Sequence, residues 1–83
     1  MRLREGLKLT LTDEGYIIYD SREERIIHLN ITSSYLLEMM LDGKAEEEVV
    51  EEYSRDFGVS VEVARRDLER FLLMMRKEGL VED

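Results

Sequence analysis

The chain has 83 residues and a formal net charge of −8, with 12 lysines and arginines against 20 aspartates and glutamates. This length suits one hydrophobic core and is too short for two, so we expect a single domain over residues 1–83. The absence of cysteine excludes disulfides and thiolate metal sites, and the acidic excess disfavours general binding to nucleic acid.

The first third of the chain predicts three antiparallel strands. Residues 7–12 alternate leucine with polar side chains, which is the period of a strand with one buried face. A turn follows at residues 13–15, and the aromatic and β-branched residues at 16–19 predict a second strand. A polar break at residues 20–24 leads to a third strand over residues 25–29. Because this meander has one apolar face, a helical layer must cover it.

The rest of the chain predicts three helices. The first is capped by Thr32, begins at the next residue and ends near residues 42–43. The second covers residues 45–57, and the third follows Ser60 as its cap and runs to about residue 78, where Gly79 stops it. Leu80 and Val81 then return to the core. The predicted fold class is therefore α+β, a three-stranded antiparallel meander packed on a three-helix bundle in a winged-helix-like arrangement.

Residues suited to catalysis, metal binding or membrane insertion are scarce. His28 is the only histidine and lies in a predicted strand, and no nucleophile–base arrangement is recognisable. The glycines are scattered singly, and the glutamates at 46–52 are explained by a solvated helix face stabilised by the helix dipole. No stretch is apolar enough to be a signal peptide or to cross a membrane. We expect a cytoplasmic protein that is not an enzyme, has no metal or cofactor and does not contact a membrane.

The second and third helices allow an alternative interpretation as a helix-turn-helix joined at residues 58–60. The third helix would then contact DNA through Arg65, Arg66 and Arg70. Acidic residues are interleaved with these arginines, and the second helix is heavily acidic, which argues against contact with phosphates. A winged-helix-like DNA-binding regulator is therefore the alternative, and a subunit of a protein assembly without a peptide ligand is the third hypothesis.

The third helix has two different flanks beside its predicted buried stripe. At about 100° per residue, the core-facing positions are Ala64, Leu68, Phe71, Leu72 and Met75. One flank mixes apolar and charged side chains, and it consists of Val63, Asp67, Arg70 and Met74. The opposite flank is wholly charged. A mixed flank beside a packed stripe is typical of the lip of a groove, with incidental exposure as the alternative.

Several short segments, taken in order, resemble the PqqD-like family of recognition elements in ribosomal peptide biosynthesis. They are Ile27-His28-Leu29-Asn30, Leu41-Asp42-Gly43, Asp56-Phe57-Gly58-Val59, Asp67 before Arg70-Phe71-Leu72, and Glu78-Gly79-Leu80-Val81. The chain lacks proline and so departs from relatives that carry one near the N-terminus or after the Leu-Asn pair. With its compact length and its His-Leu-Asn and Asp-Gly segments, the chain most resembles the stand-alone leader-binding proteins of lasso-peptide pathways, and next those of quinone-cofactor (PQQ) pathways.

The resemblance implies a function for the chain. It implies a non-catalytic protein that binds the leader of a ribosomally synthesised precursor peptide by β-strand addition and presents it to a partner leader protease or modifying enzyme. The leader would pair with the third strand and lie against the third helix. The expected peptide-binding residues are Arg25, Ile26, Ile27, His28, Leu29, Val63, Asp67, Arg70 and Met74. Because the leader must become ordered, we expect dissociation constants between about micromolar and tens of nanomolar.

Overall fold

Three strands followed by three helices make up the computed structural model, which describes residues 1–82. The elements are β1 (Leu7–Thr12), β2 (Gly15–Asp20), β3 (Arg25–His28), α1 (Ile31–Leu41), α2 (Glu46–Phe57) and α3 (Val61–Lys77). The strands form one antiparallel sheet in the order β1-β2-β3, so β2 is central. The predicted α+β class and the predicted order of elements are confirmed. Asp83, the last residue of the predicted domain, lies outside the described residues.

A single core lies between one face of the sheet and the three helices. Ile18 at the centre of the sheet is fully buried, and it belongs to one hydrophobic core with buried side chains from all three helices. The predicted stripe of α3 is confirmed, because Ala64, Leu68, Phe71 and Met75 are buried and Leu72 is partly buried. The rotation of α3 about its axis is thereby fixed, and so is the flank that it turns towards β3.

Helix α1 begins two residues earlier than predicted, and Thr32 is not its N-cap. The side-chain oxygen of Asn30 accepts a hydrogen bond from the Ser33 N–H at 2.9 Å, and the Thr32 hydroxyl donates to the same oxygen at 3.1 Å. Asparagine and threonine are both good N-caps, so composition alone could not choose between them. The earlier start leaves only two residues between β3 and α1, which places the first turn of α1 at the end of the strand.

Gly15 allows β2 to begin directly against the junction of β3 and α1. Its φ is 119°, and a Cβ at this position would lie 2.3 Å from the carbonyl oxygen of Leu29 and 2.7 Å from the hydroxyl of Ser34. The Ser34 hydroxyl accepts a hydrogen bond from the Tyr16 N–H at 2.8 Å. A side chain would displace this contact, so glycine is needed for the close approach that positions the end of β3.

Asp20 belongs to the predicted polar break, but in the structure it is a fully buried charge at the end of β2. Its carboxylate accepts hydrogen bonds from Arg4 at 2.6 Å and Arg25 at 3.1 Å, and from two backbone amides of the following turn. Burial raises the pKa of Asp20, but these hydrogen bonds outweigh it and lower the pKa to about 2. Arg25 also donates to the carboxylate of Glu78 at 2.7 Å, which ties the start of β3 to the end of α3.

The chain ends pair with each other, which no pattern in the first six residues indicated. Leu3 and Val81 form an antiparallel bridge, and the Arg4 N–H donates to the carbonyl of Leu80 at 2.9 Å. Leu80 is fully buried, as the predicted return of the chain to the core requires. No helix within residues 1–82 is long and apolar enough to cross a membrane.

Candidate functional site

The outer edge of β3 carries backbone groups that point away from the sheet. The Leu29 N–H donates to the carbonyl of Tyr16 at 2.9 Å, which fixes the phase of the ladder between β2 and β3. Bonded and non-bonded positions alternate in an antiparallel ladder, so Ile26 and His28 direct their N–H and C=O groups outward. No other part of the described chain hydrogen-bonds to these groups. Two donors and two acceptors are therefore available to an extended chain.

An open groove runs between this edge and α3, in two parts. The part beside β3 has a volume of about 350 Å³ and is lined by Ile26, Ile27, His28, Leu29, Asn30, Ser33, Met74 and Glu78. The far part has a volume of about 270 Å³ and is lined by Thr32, Ser33, Leu36, Tyr53, Asp67, Arg70, Phe71 and Met74. Because Ser33 and Met74 line both parts, the groove is continuous from the strand edge to the first turn of α1.

The far part of the groove has an apolar floor and a charged rim. Leu36 and Phe71 form the floor and are only 2% and 4% exposed. Arg70 is exposed at the rim, and its guanidinium has no hydrogen bond or ion pair with any residue in the described part of the chain. Asp67 accepts a hydrogen bond from the Tyr53 hydroxyl at 2.8 Å. An unpaired cation beside an apolar floor can bind a carboxylate of a ligand that also buries apolar side chains there.

Most of the residues predicted to bind peptide are brought together in this groove. Those that line it are Ile26, Ile27, His28, Leu29, Asp67, Arg70 and Met74. Val63 lies on the same flank of α3, one turn before Asp67, but outside the lining of either part. Arg25 also lies outside the lining of either part, because its side chain is bound to Asp20 and Glu78 and its backbone groups face β2 in the ladder.

Several residues that line the groove are not among the predicted peptide-binding residues. They are Asn30, Thr32, Ser33, Leu36, Tyr53, Phe71 and Glu78. In the sequence, the spacing of Leu36, Tyr53 and Phe71 indicates only buried helix positions, and these residues do pack in the core. Their exposed edges form the floor because α1, α2 and α3 converge there. The periodicity of one helix cannot predict where three helices meet.

The outer edge of β1 differs from that of β3. The Ser21 N–H donates to the carbonyl of Gly6 at 3.0 Å, and the alternation of the ladder then directs the amides of Leu7, Leu9 and Leu11 outward. Neither part of the groove is lined by a β1 residue. The predicted buried face of β1 is only partly correct, because Leu11 is 62% exposed.

On the opposite flank of α3, which carries Arg65, Glu69 and Arg76, the side chain of Arg65 is engaged within the protein. The Arg65 guanidinium donates to the carboxylate of Glu47 on α2, and this hydrogen bond lowers the pKa of Glu47. One of the three arginines in the helix-turn-helix interpretation is therefore neutralised by the acidic helix beside it. Within residues 1–82, no group of three His, Cys, Asp or Glu side chains is arranged to hold a metal ion.

Comparison with known proteins gives one family and two similar structures. The sequence model of a family described as coenzyme PQQ synthesis protein D (PqqD) matches residues 15–81. A lasso peptide synthetase B1 complexed with the leader peptide has a TM-score of 0.92 and 24% identity, covering 99% of this chain and 96% of that chain. TbiB1 in complex with the TbiA(beta) leader peptide has a TM-score of 0.87 and 21% identity, covering 99% and 95%. No match was found among curated proteins. At these identities the two structures establish the fold.

Proposed function

Because the chain belongs to the PqqD family, we propose that it binds the leader of a ribosomally synthesised precursor peptide and presents it to a leader protease or modifying enzyme. The leader adds to the sheet as a fourth strand beside β3. The observation that carries this proposal is that the outward amides of Ile26 and His28 open onto a groove with an apolar floor. Two proteins of the same fold, each in complex with a leader peptide, support it.

The two sides of the groove have different tasks in this mechanism. Backbone hydrogen bonds to Ile26 and His28 supply affinity for any extended peptide. Side chains of the peptide point alternately towards and away from the helices, so every second one meets the groove. Met74 and Phe71 contact apolar side chains, and Arg70 pairs with an acidic one. Selectivity therefore comes from α3 and the first turn of α1.

The proposed role requires binding and presentation, and no bond is made or broken by this chain. The leader pairs with the sheet over only a few residues, because β3 is four residues long. The remainder of the precursor stays accessible to the partner enzyme. The cost of ordering the leader limits the affinity, so a dissociation constant between about micromolar and tens of nanomolar is expected.

The experiment that tests the proposal is calorimetric titration of the protein with the leader segment of the precursor peptide encoded beside its gene. A scrambled leader of the same composition is the control, and leaders of lasso-peptide and PQQ precursors from other pathways test the subfamily. Saturable binding of the native leader in the expected range, with no binding of the scrambled one, supports the proposal. Equal binding of both, or no binding at about 100 μM, contradicts it.

Duplex DNA provides a second arm of the same test. We expect no shift of duplex DNA at about 150 mM salt, because the helix that would cross the phosphate backbone is acidic. Sequence-specific binding in the nanomolar range would favour a DNA-binding regulator over the leader-binding protein.

A further inference from the structure

Asp67 and Arg70 lie three residues apart on α3, yet they do not pair. Side chains at this spacing are neighbours on one face of a helix, and a carboxylate and a guanidinium placed there ordinarily attract each other. Both side chains line the far part of the groove. The carboxylate of Asp67 instead accepts a hydrogen bond from the Tyr53 hydroxyl at 2.8 Å, and Arg70 has no partner within the described residues.

Tyr53 is well placed to hold Asp67 in this position. It is 3% exposed and packs against Tyr35 and Phe57, with ring centroids 6.0 Å and 4.8 Å away. A nearly buried hydroxyl needs a hydrogen-bond partner, and Asp67 provides it. Burial, and then the hydrogen bond to Asp67, raise the pKa of Tyr53, so the hydroxyl remains a donor at neutral pH.

We infer that Tyr53 is a positioning residue whose hydroxyl holds Asp67 away from Arg70 and so keeps the Arg70 guanidinium available to an acidic residue of the bound peptide. Without that hydroxyl, the Asp67 carboxylate has lost its donor and turns to the guanidinium one turn along the helix. The peptide must then displace Asp67 before it can pair with Arg70. The inference rests on the proposed function only where it names a peptide as the partner of Arg70.

The first test needs no ligand. In Tyr53→Phe we expect the Nε–H of Arg70 to exchange with water several-fold more slowly than in the unsubstituted protein, measured by ¹⁵N NMR, because Asp67 now binds it. The double variant Tyr53→Phe/Asp67→Asn should restore fast exchange. Tyr35→Phe is the matched control, since it removes a hydroxyl that is bonded to Asp56 at 2.6 Å outside the groove. Unchanged exchange in Tyr53→Phe would overturn the inference.

The second test measures binding of a defined probe, a peptide selected from a displayed library of random sequences and carrying a Glu that wild-type binding requires. Tyr53→Phe should bind this peptide about tenfold more weakly than the wild type does. The double variant Tyr53→Phe/Asp67→Asn should regain most of the lost affinity. A version of the peptide with Gln in place of this Glu should bind Tyr53→Phe almost as tightly as it binds the wild type. Equal loss for both peptides, or no rescue by Asp67→Asn, would show a merely structural role for Tyr53. Failure to select any peptide contradicts the proposed function, while the exchange test still decides on Tyr53.

Discussion

The sheet has two outer edges, and they differ in what lies beside them. β1 is the longer edge strand and directs the amides of Leu7, Leu9 and Leu11 outward, whereas β3 offers only Ile26 and His28. Within residues 1–82, only the β3 edge faces a groove walled by α3 and the first turn of α1. Outward backbone groups alone therefore do not make a selective peptide site, because they accept any extended chain. The adjacent helical wall supplies the selectivity.

The floor of the groove is also part of the core, so its removal should have the largest effect. Phe71→Ala should lower the free energy of unfolding by about 3–5 kcal/mol, since it deletes a large side chain from the buried stripe of α3. Urea denaturation measures this loss. Met74→Ala, at the half-buried lip, should cost distinctly less. A loss below about 1 kcal/mol for Phe71→Ala would mean that the floor is not coupled to the core.

Proline at matched positions compares the two edges directly. Ile26→Pro removes an outward amide from β3 and should weaken leader binding by about tenfold to a hundredfold, because one peptide carbonyl loses its donor. Leu11→Pro removes an outward amide from β1 at a side chain as exposed as that of Ile26, and it should leave the affinity unchanged. Calorimetric titration of both variants, after melting curves confirm that each is folded, makes the comparison. Similar losses of affinity in the two variants would show that the leader does not bind one edge in preference to the other.

The charged rim of the groove should contribute less than the strand edge. Arg70→Glu should reduce leader affinity about tenfold, or about 1.4 kcal/mol, by placing like charge against an acidic leader residue. Its melting temperature should hardly change, because Arg70 has no partner among the described residues. Arg66→Glu is the control, since it makes the same change of charge at an exposed position outside the groove lining. Arg65 is less suitable because it is bound to Glu47.

Asp20, the buried charge that anchors β3, should not make the free energy of unfolding depend on pH near neutrality. In acid, it should cause a measurable loss of stability. The pKa of Asp20 is about 2 in the folded protein, below its ordinary value of 3.8. Asp20 therefore stabilises the fold above about pH 4, and this contribution is lost as the pH falls towards 2. Urea melts between pH 5 and pH 2 should show a steeper loss for the wild type than for Asp20→Asn. Parallel curves would contradict the depressed pKa.

The sequence was sufficient to predict the order of the elements and the phase of α3. The alternating leucines of β1, the Ser60 cap and the apolar stripe of α3 are each local signals, and their order along the chain resembles that of PqqD-like proteins. The groove flank was predicted for the same reason, because Asp67, Arg70 and Met74 follow from the stripe by rotation about the helix axis.

Other features depend on contacts between segments that are distant in the sequence. Asp20 looks like a turn residue until Arg4 and Arg25 are folded against it. The role of Tyr53 appears only when α2 packs beside α3 and its hydroxyl reaches Asp67. The outward direction of the Ile26 and His28 amides required the phase of the ladder, which no single strand reveals.

Hydrogen exchange of individual amides tests most directly whether the leader occupies the edge of β3. In the free protein, the outward amides of Ile26 and His28 should exchange rapidly with solvent, as should those of Leu9 and Leu11 in β1. Saturation with the leader should slow exchange at Ile26 and His28 by at least about tenfold and leave Leu9 and Leu11 unchanged. Protection at the β1 edge, or at neither edge while the peptide is bound, would contradict strand addition at β3.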